Sequence, residues 1–350
     1  YREAGERVRL RAEPEFVPGE QIEVAHTWPL LPGDLPPGTE IEYYWSLETS
    51  GGQTLETDPV VLVYRDDRFP WQEMVSGTLV VHWYGVPESR ARDLLHVAEE
   101  ALGRLEGDVG LALSRPVHIY LYQSRDDMKL VVPSRSETFD SQVLTLGMAV
   151  SDDTMLVLAS SPGVEGVLAH ELSHIVVGLA TRNPLGGLPR WLDEGLAMYA
   201  EGELPLVNRL ALEEALRSNR LISVRSLSAY TNDPAEVDLY YAQVYSVVKS
   251  LVDVYGREPL QALLQEFKAG AHQEDALQKV YGFGLDELDA AWRQHVKAQP
   301  RQALATSAPT GVPRERSNET PRERGLCLGG LLPGLLLVFP FRQLRRGRLP

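Results

Sequence analysis

Cysteine is almost absent. Cys327 is the only one in 350 residues, so no internal disulfide can form and the redox compartment is not legible from cysteine usage. Basic side chains are also scarce relative to acidic ones, 34 against 49, for a formal net charge of -15. That balance excludes a nucleic-acid partner, because phosphate recognition needs a basic field. No internal repeat is present. No basic-plus-apolar signal pattern precedes the body, and an opening at Tyr1 rather than Met leads to the expectation of a processed or incomplete start. Hydrophobic residues make up 43% of the chain, which excludes wholesale disorder, and the length predicts a sizeable core divided between two domains.

Long apolar runs are missing too, with one exception. Residues 325–341, GLCLGGLLPGLLLVFPF, carry no charge and are followed by Arg342, Arg345, Arg346 and Arg348. At 1.5 Å per residue this run reaches about 25 Å, a marginal membrane span weakened by Pro333 and its glycines. The arginine cluster after it predicts a single-pass anchor with residues 342–350 in the cytoplasm and the body outside the cell membrane. Residues 299–324 are rich in Pro, Ser, Thr and charge without periodicity, and read as a linker.

The front of the chain alternates. In EIEYYWSL, Ile41, Tyr43, Trp45 and Leu47 face one way and Glu40, Glu42, Tyr44 and Ser46 the other; Ser50–Gly52 turns the chain and DPVVLVY supplies a further strand. With VRLRAEP and QIEVAHTW as earlier strands, residues 1–72 are expected to form an all-β sandwich, part of it before Tyr1. From 76 to 298 the pattern becomes α+β. TLVVHWY, PVHIYLY, VLTLGMAV and TMLVLAS read as strands, Ala91, Leu94, Leu95, Ala98, Ala101, Leu102 and Leu105 recur at helical spacing, and Ser124 is placed to cap a short helix. After residue 163 nearly everything is helical, so a mixed-sheet subdomain leads into a helical one.

At that seam lies LAHELSHIV, residues 168–176. On a helix, His170 and His174 stand one turn apart on the same face and can present two imidazole nitrogens to one ion, with Glu171 beside them. Catalytic zinc commonly takes two histidines and a carboxylate and keeps a fourth position open. A carboxylate follows on a second helix-like stretch, RWLDEGLAMYAEG, where Glu194 lies twenty positions beyond His174 after the loop RNPLGGLP. Glu201, seven residues further, falls on the same helical face as Glu194 and is placed to hold the outer nitrogen of a ligating histidine. The remaining histidines show no ligand spacing.

HELSH followed by WLDEGLA resembles the gluzincin metallopeptidases, the clan of thermolysin and the zinc aminopeptidases, over residues 76–298 and most specifically from Gly163 to Gly202. The resemblance implies one zinc ion per chain held by His170, His174 and Glu194, with Glu171 as general base for hydrolysis of a peptide or protein substrate. Asp193 stands where the family usually has Asn. DLYYAQVYSVVKSLVDVYG resembles the aminopeptidase helix whose leading Tyr stabilises the oxyanion; this implies Tyr241, with Tyr240 as the neighbour that could substitute. In this clan a substrate backbone pairs with the strand before the zinc helix, here Leu146–Val150, which implies substrate contacts from Gly147, Met148 and Ala149. The amine-recognition motif of the aminopeptidases is absent, which favours internal peptide bonds. Two alternatives stay open: a catalytically silent surface binding protein on the same scaffold, and a zinc hydrolase of non-peptide amides.

Overall fold

The first strands are short: β1 (Arg2–Glu3), β2 (Glu40–Tyr43), β3 (Ser46–Glu48), β4 (Thr54–Glu56) and β5 (Val60–Val63). β1, β2 and β5 form an antiparallel three-stranded sheet in that order, and β3 and β4 a separate hairpin turned at Gly51–Gly52. This region is β-rich, yet it is not the expected sandwich. A sandwich buries two inner faces, and among these strand residues only Ile41 is buried, while all four residues of β5 are exposed. EIEYYWSL is broken into two strands that join different sheets, and VRLRAEP and QIEVAHTW form no strand. Period-two alternation stabilises a strand only where a partner offers a surface to bury against.

The computed structural model describes residues 1–3, 8–19, 21–31, 33–49, 51–132, 147–229 and 233–299. The linker beyond 299, the apolar run 325–341, the basic tail 342–350 and Leu146 lie outside these residues. No helix of the described residues is long and apolar enough to cross a membrane.

Five further strands make the central sheet: β6 (Gln72–Ser76), β7 (Leu79–Trp83), β8 (Val117–Tyr122), β9 (Gly147–Ala149) and β10 (Thr154–Leu158), in the order β6-β7-β8-β10-β9. β7, β8 and β10 run parallel, and the two outer strands are antiparallel to them. β6 has no counterpart in the sequence reading, because its QEMVS lacks an apolar alternation. The parallel pair β7 and β8 is joined through α1 (Glu88–Arg104), whose buried residues Ala91, Leu94, Leu95, Ala98 and Ala101 form one apolar stripe. Ser124 caps α2 (Arg125–Lys129) by accepting from the Asp127 amide.

Each face of the sheet has its own core. Leu79, Val81, Trp83, Val117, Ile119, Leu121, Met155 and Val157 belong to the helical side. The other side carries Tyr84, Tyr120, Tyr122, Leu156 and Leu158, covered by Phe69 and Trp71. There Asp66, buried, accepts from the Tyr122 hydroxyl at 2.8 Å and pairs with Arg68, so its charge is compensated.

The helical half contains α3 (Val164–Thr181), α4 (Arg190–Glu201), α5 (Leu206–Ser218), α6 (Val237–Tyr255), α7 (Arg257–Lys268), α8 (Gln273–Tyr281) and α9 (Leu285–His295). α3 is apolar nearly all round, the mark of a helix enclosed by protein. Its buried positions include Leu168, Leu172, Ile175 and Val176, which leaves His170, Glu171 and His174 on the remaining face. α6 stops at Gly256, whose φ of 81° suits glycine and ends the helix.

On the aromatic side of the sheet, His82 stacks on Tyr120 at 4.4 Å, and its Nε2 lies 2.9 Å from Nδ1 of His118. Burial, then the charges of His118 and Arg65, push the His82 imidazole down to about 4, although Glu73 stands 3.5 Å from Nδ1. The folded chain therefore keeps His82 neutral, while the unfolded chain protonates it near pH 6.5. Its contribution to stability is complete above about pH 6.5 and is lost as pH falls from there towards 4. Thermal unfolding from pH 7.5 to 4.5 should show a shallower loss of Tm in His82→Phe than in the wild type; parallel curves would show that His82 is not a source of acid sensitivity.

Candidate metal centre and active site

Three chain segments meet at the exposed face of α3. The first is α3 itself, which sets His170 and His174 one turn apart with ring centroids at 4.9 Å. The second is α4, whose N-cap is Pro189 in an extended conformation. Trp191, wholly buried, and Leu196 and Ala197 seat α4 in the core, and this directs Glu194 towards the histidines. Gly195 sets the depth of that seating: a Cβ there would stand 2.5 Å from Cγ2 of Val248 and 2.7 Å from the carbonyl oxygen of Val244, both on α6. The third segment is β9. A Cβ on Gly147 would stand 2.6 Å from Cγ1 of Val167, so glycine there lets the strand lie close along α3. Gly147 is a paired strand residue, opposite Val157.

The inner atoms converge. Oε2 of Glu194 lies 3.4 Å from Nε2 of His170 and 3.9 Å from Nε2 of His174, and ligand atoms of the three residues all fall within 4.8 Å of one another. Ligands about 2.0–2.1 Å from a tetrahedral zinc ion are separated by roughly 3.3 Å, so the donor set fits that ion with small adjustments. The outer nitrogens are engaged as well. Nδ1 of His170 is 2.8 Å from Oε1 of Glu201, and Nδ1 of His174 is 3.3 Å from Oδ1 of Asp193. Carboxylates on both outer nitrogens leave both Nε2 atoms for a metal, the arrangement that raises ligand basicity. The other oxygen of Glu194 stands 3.9 Å from Nη1 of Arg190.

The site's charge calls for a cation. Burial pushes the His170 imidazole down, but Glu194 and Glu201 outweigh it and lift it to about 10. In His174 burial again acts downwards and is overcome by Asp193, with Glu194 adding and His170 opposing, so it too is raised. Carboxylates that favour the charged form of these imidazoles supply the same field to a metal dication.

Glu171 lies between the cluster and β9, and its Oε2 accepts a hydrogen bond from the Ala149 amide at 3.2 Å. The neighbouring Val150 amide bonds to Thr154 of β10, so by strand alternation the Ala149 groups face the edge of β9 away from β10. Met148, by contrast, is buried and pairs with Leu156. The two tyrosines at the start of α6 diverge. Tyr240 is buried with its hydroxyl directed to the Leu227 carbonyl at 3.2 Å, whereas the Tyr241 ring stands edge-on to His170 at 6.1 Å. Sequence reasoning missed the contact of Asp193 with His174 and the approach of Arg190 to Glu194. The i,i+4 spacing from Arg190 to Glu194 was the available signal for the second.

Because Glu201 holds the ring of His170, Glu201→Gln should weaken zinc binding about 10- to 100-fold without unfolding the chain. Competition against a chromophoric chelator measures it, with Tm as the control. An unchanged affinity would mean that the 2.8 Å contact does not orient the ligand.

The sequence profile of the Peptidase MA superfamily matches residues 97–298. Among solved structures, the chain is similar to an M1 zinc metallopeptidase from Deinococcus radiodurans, with 17% identity over 79% of this chain and 64% of that one and a TM-score of 0.36. It is also similar to a point mutant of a two-domain M1 zinc metallopeptidase bound to L-arginine, with 16% identity, 76% and 63% coverage and a TM-score of 0.39. The chain thus spans less than two thirds of the length of these structures. No curated protein matches its sequence. With the family match running from α1 through the helical half and taking in every residue of the His-His-Glu cluster, the chain belongs to the Peptidase MA superfamily and carries a gluzincin-type peptidase domain.

Proposed function

We propose that this protein is a zinc-dependent metallopeptidase that cleaves internal peptide bonds, with Glu171 as general base. The observation that carries the reading is the placement of Glu171, which takes no part in the His-His-Glu donor set and lies between that set and β9, accepting from the Ala149 amide. Zinc, when bound by His170, His174 and Glu194, supplies Lewis acidity for activating water and polarising a carbonyl. The rest falls to the chain's own groups. Ala149, whose amide donates to Glu171, offers its backbone carbonyl to an extended substrate, and with Gly147 and Met148 forms a strand that reads main chain rather than side chains. Glu171 takes a proton from the attacking water and delivers it to the leaving nitrogen. Tyr241, beside His170, donates its hydroxyl proton in a hydrogen bond to the developing oxyanion. A silent binding protein would have no use for a carboxylate in the position of Glu171.

Kinetics of two variants test the mechanism together. Glu171→Gln should abolish peptide hydrolysis and leave zinc content unchanged, since it removes a proton carrier and no ligand. Tyr241→Phe should lower kcat roughly ten- to a thousandfold, on the order of 1.4–4 kcal/mol, with KM and zinc content little changed. Zinc loss in Glu171→Gln, or full activity in Tyr241→Phe, would remove the corresponding role.

We also propose that the body faces outward from a cell membrane, anchored by residues 325–341 with 342–350 in the cytoplasm; the support is the apolar run and the arginine cluster that follows it. Protease treatment of intact cells should release a fragment ending within residues 299–324. Recovery of the full chain in the soluble fraction alone would overturn the anchor.

A further inference from the structure

One helical turn beyond His174, on the same face of α3, stands Gly178. The interior of a helix is a costly place for glycine, about 1 kcal/mol less favourable than alanine. Neither backbone nor packing asks for it here: its φ is not positive, and an added Cβ would meet nothing within 4 Å. What the missing side chain leaves is space. A cavity of about 430 Å³ opens beside His174, walled by Ala149, Ile175, Gly178, Leu179, Leu188 and Asn183.

The cavity is built rather than incidental. Asn183 braces its far wall: Nδ2 donates to the carbonyls of Gly186 at 2.9 Å and Phe267 at 2.8 Å, and Oδ1 accepts from the amides of Leu185 at 2.8 Å and Gly186 at 3.1 Å. The loop after α3 is therefore tied both to itself and to the end of α7. The charged groups at the cavity are already matched. Asp152 pairs with Arg182 across it and lies 3.8 Å from Arg115, and Asp193 faces His174. An added charge would have no partner, whereas the half-buried Leu179 and Leu188 offer apolar surface to an uncharged side chain.

Its position relative to the cluster gives it a direction. β9 runs alongside α3: Gly147 lies by Val167 and Glu171, Ala149 by Glu171, and Ser151 and Asp152 by the cavity. A peptide added antiparallel to β9, the more stable pairing, places its N-terminal residues at the cavity and its C-terminal residues towards Gly147. We infer that this cavity binds a bulky uncharged side chain, aromatic or branched aliphatic, one or two residues N-terminal to the scissile bond. The inference rests on the peptidase reading and deepens it. A side-chain subsite on that side means that the substrate continues N-terminal to the cleaved bond.

The test uses the zinc-loaded full chain and peptide libraries varied at each position around one bond. The wild type should favour Phe, Leu or Ile over Ala and Asp by tenfold or more in kcat/KM at one of the two positions N-terminal to the cleaved bond. Gly178→Leu should reduce that preference at least tenfold and Gly178→Ala in part, the latter with Tm unchanged or raised. A second arm is independent of turnover: calorimetric titration of Glu171→Gln with a Phe-containing peptide and its Ala counterpart should show a tenfold difference in affinity that Gly178→Leu removes. Cleavage with a preference indifferent to Gly178, or confined to the C-terminal side, overturns the subsite and leaves the peptidase reading intact. A binding preference lost in Gly178→Leu, in a chain that cleaves nothing, upholds the subsite and overturns the peptidase reading; neither cleavage nor preference overturns both.

Discussion

Contact between α4 and α6 leaves no room for a methyl group at Gly195, and the geometry of the metal centre follows from that closeness. α4 carries Glu194, Asp193 and Glu201; α6 carries Tyr241. Because α4 is sunk against α6, the same packing that buries Trp191 and Val248 brings both a carboxylate and a phenol to the His170 ring. A side chain at 195 would force the helices apart. Separation of even an ångström matters in a donor set whose members must lie about 3.3 Å from one another.

Electrostatics and burial then act on the same residues. Two partly buried imidazoles are costly to charge, yet carboxylates on both their inner and outer nitrogens outweigh that cost and raise the proton affinity of each. Such an arrangement is poor as a neutral core and good as a cation site. It depends on α3 being largely enclosed on its other faces, which leaves His170, Glu171 and His174 together on the remaining one. The same face continues to Gly178, where the helix carries no side chain and a cavity opens. α3 thus sets two of the ligands, the base and the adjoining space along one helix, and β9 runs beside it as the edge strand of the sheet among the described residues.

The sheet separates this chemistry from the rest of the molecule. Its helical side supports α1 and α3, and its other side is closed by an aromatic cluster with a compensated Asp66. The N-terminal strands contribute little to either core. β5, exposed along its whole length, shows how far an apolar run in the sequence can run ahead of burial.

Short-range chemistry was legible in the sequence. Helical spacing places His170, Glu171 and His174 together, Ser124 sits where a cap is wanted, and β7, β8 and β10 declare themselves as apolar runs between turn residues, because each of these depends on neighbours within a few positions. The N-terminal strands were overread, and β6 was missed, because strand formation depends on a partner that local pattern does not name. The sequence by itself determined the donor types and the helix that spaces two of them. Only the tertiary structure decided which tyrosine of the pair stands at His170, that Asp193 reaches His174, and that Gly178 leaves a cavity open. Those are relations between surfaces of different elements, and the rotation and depth at which helices pack are set by the whole core rather than by the residues that meet there.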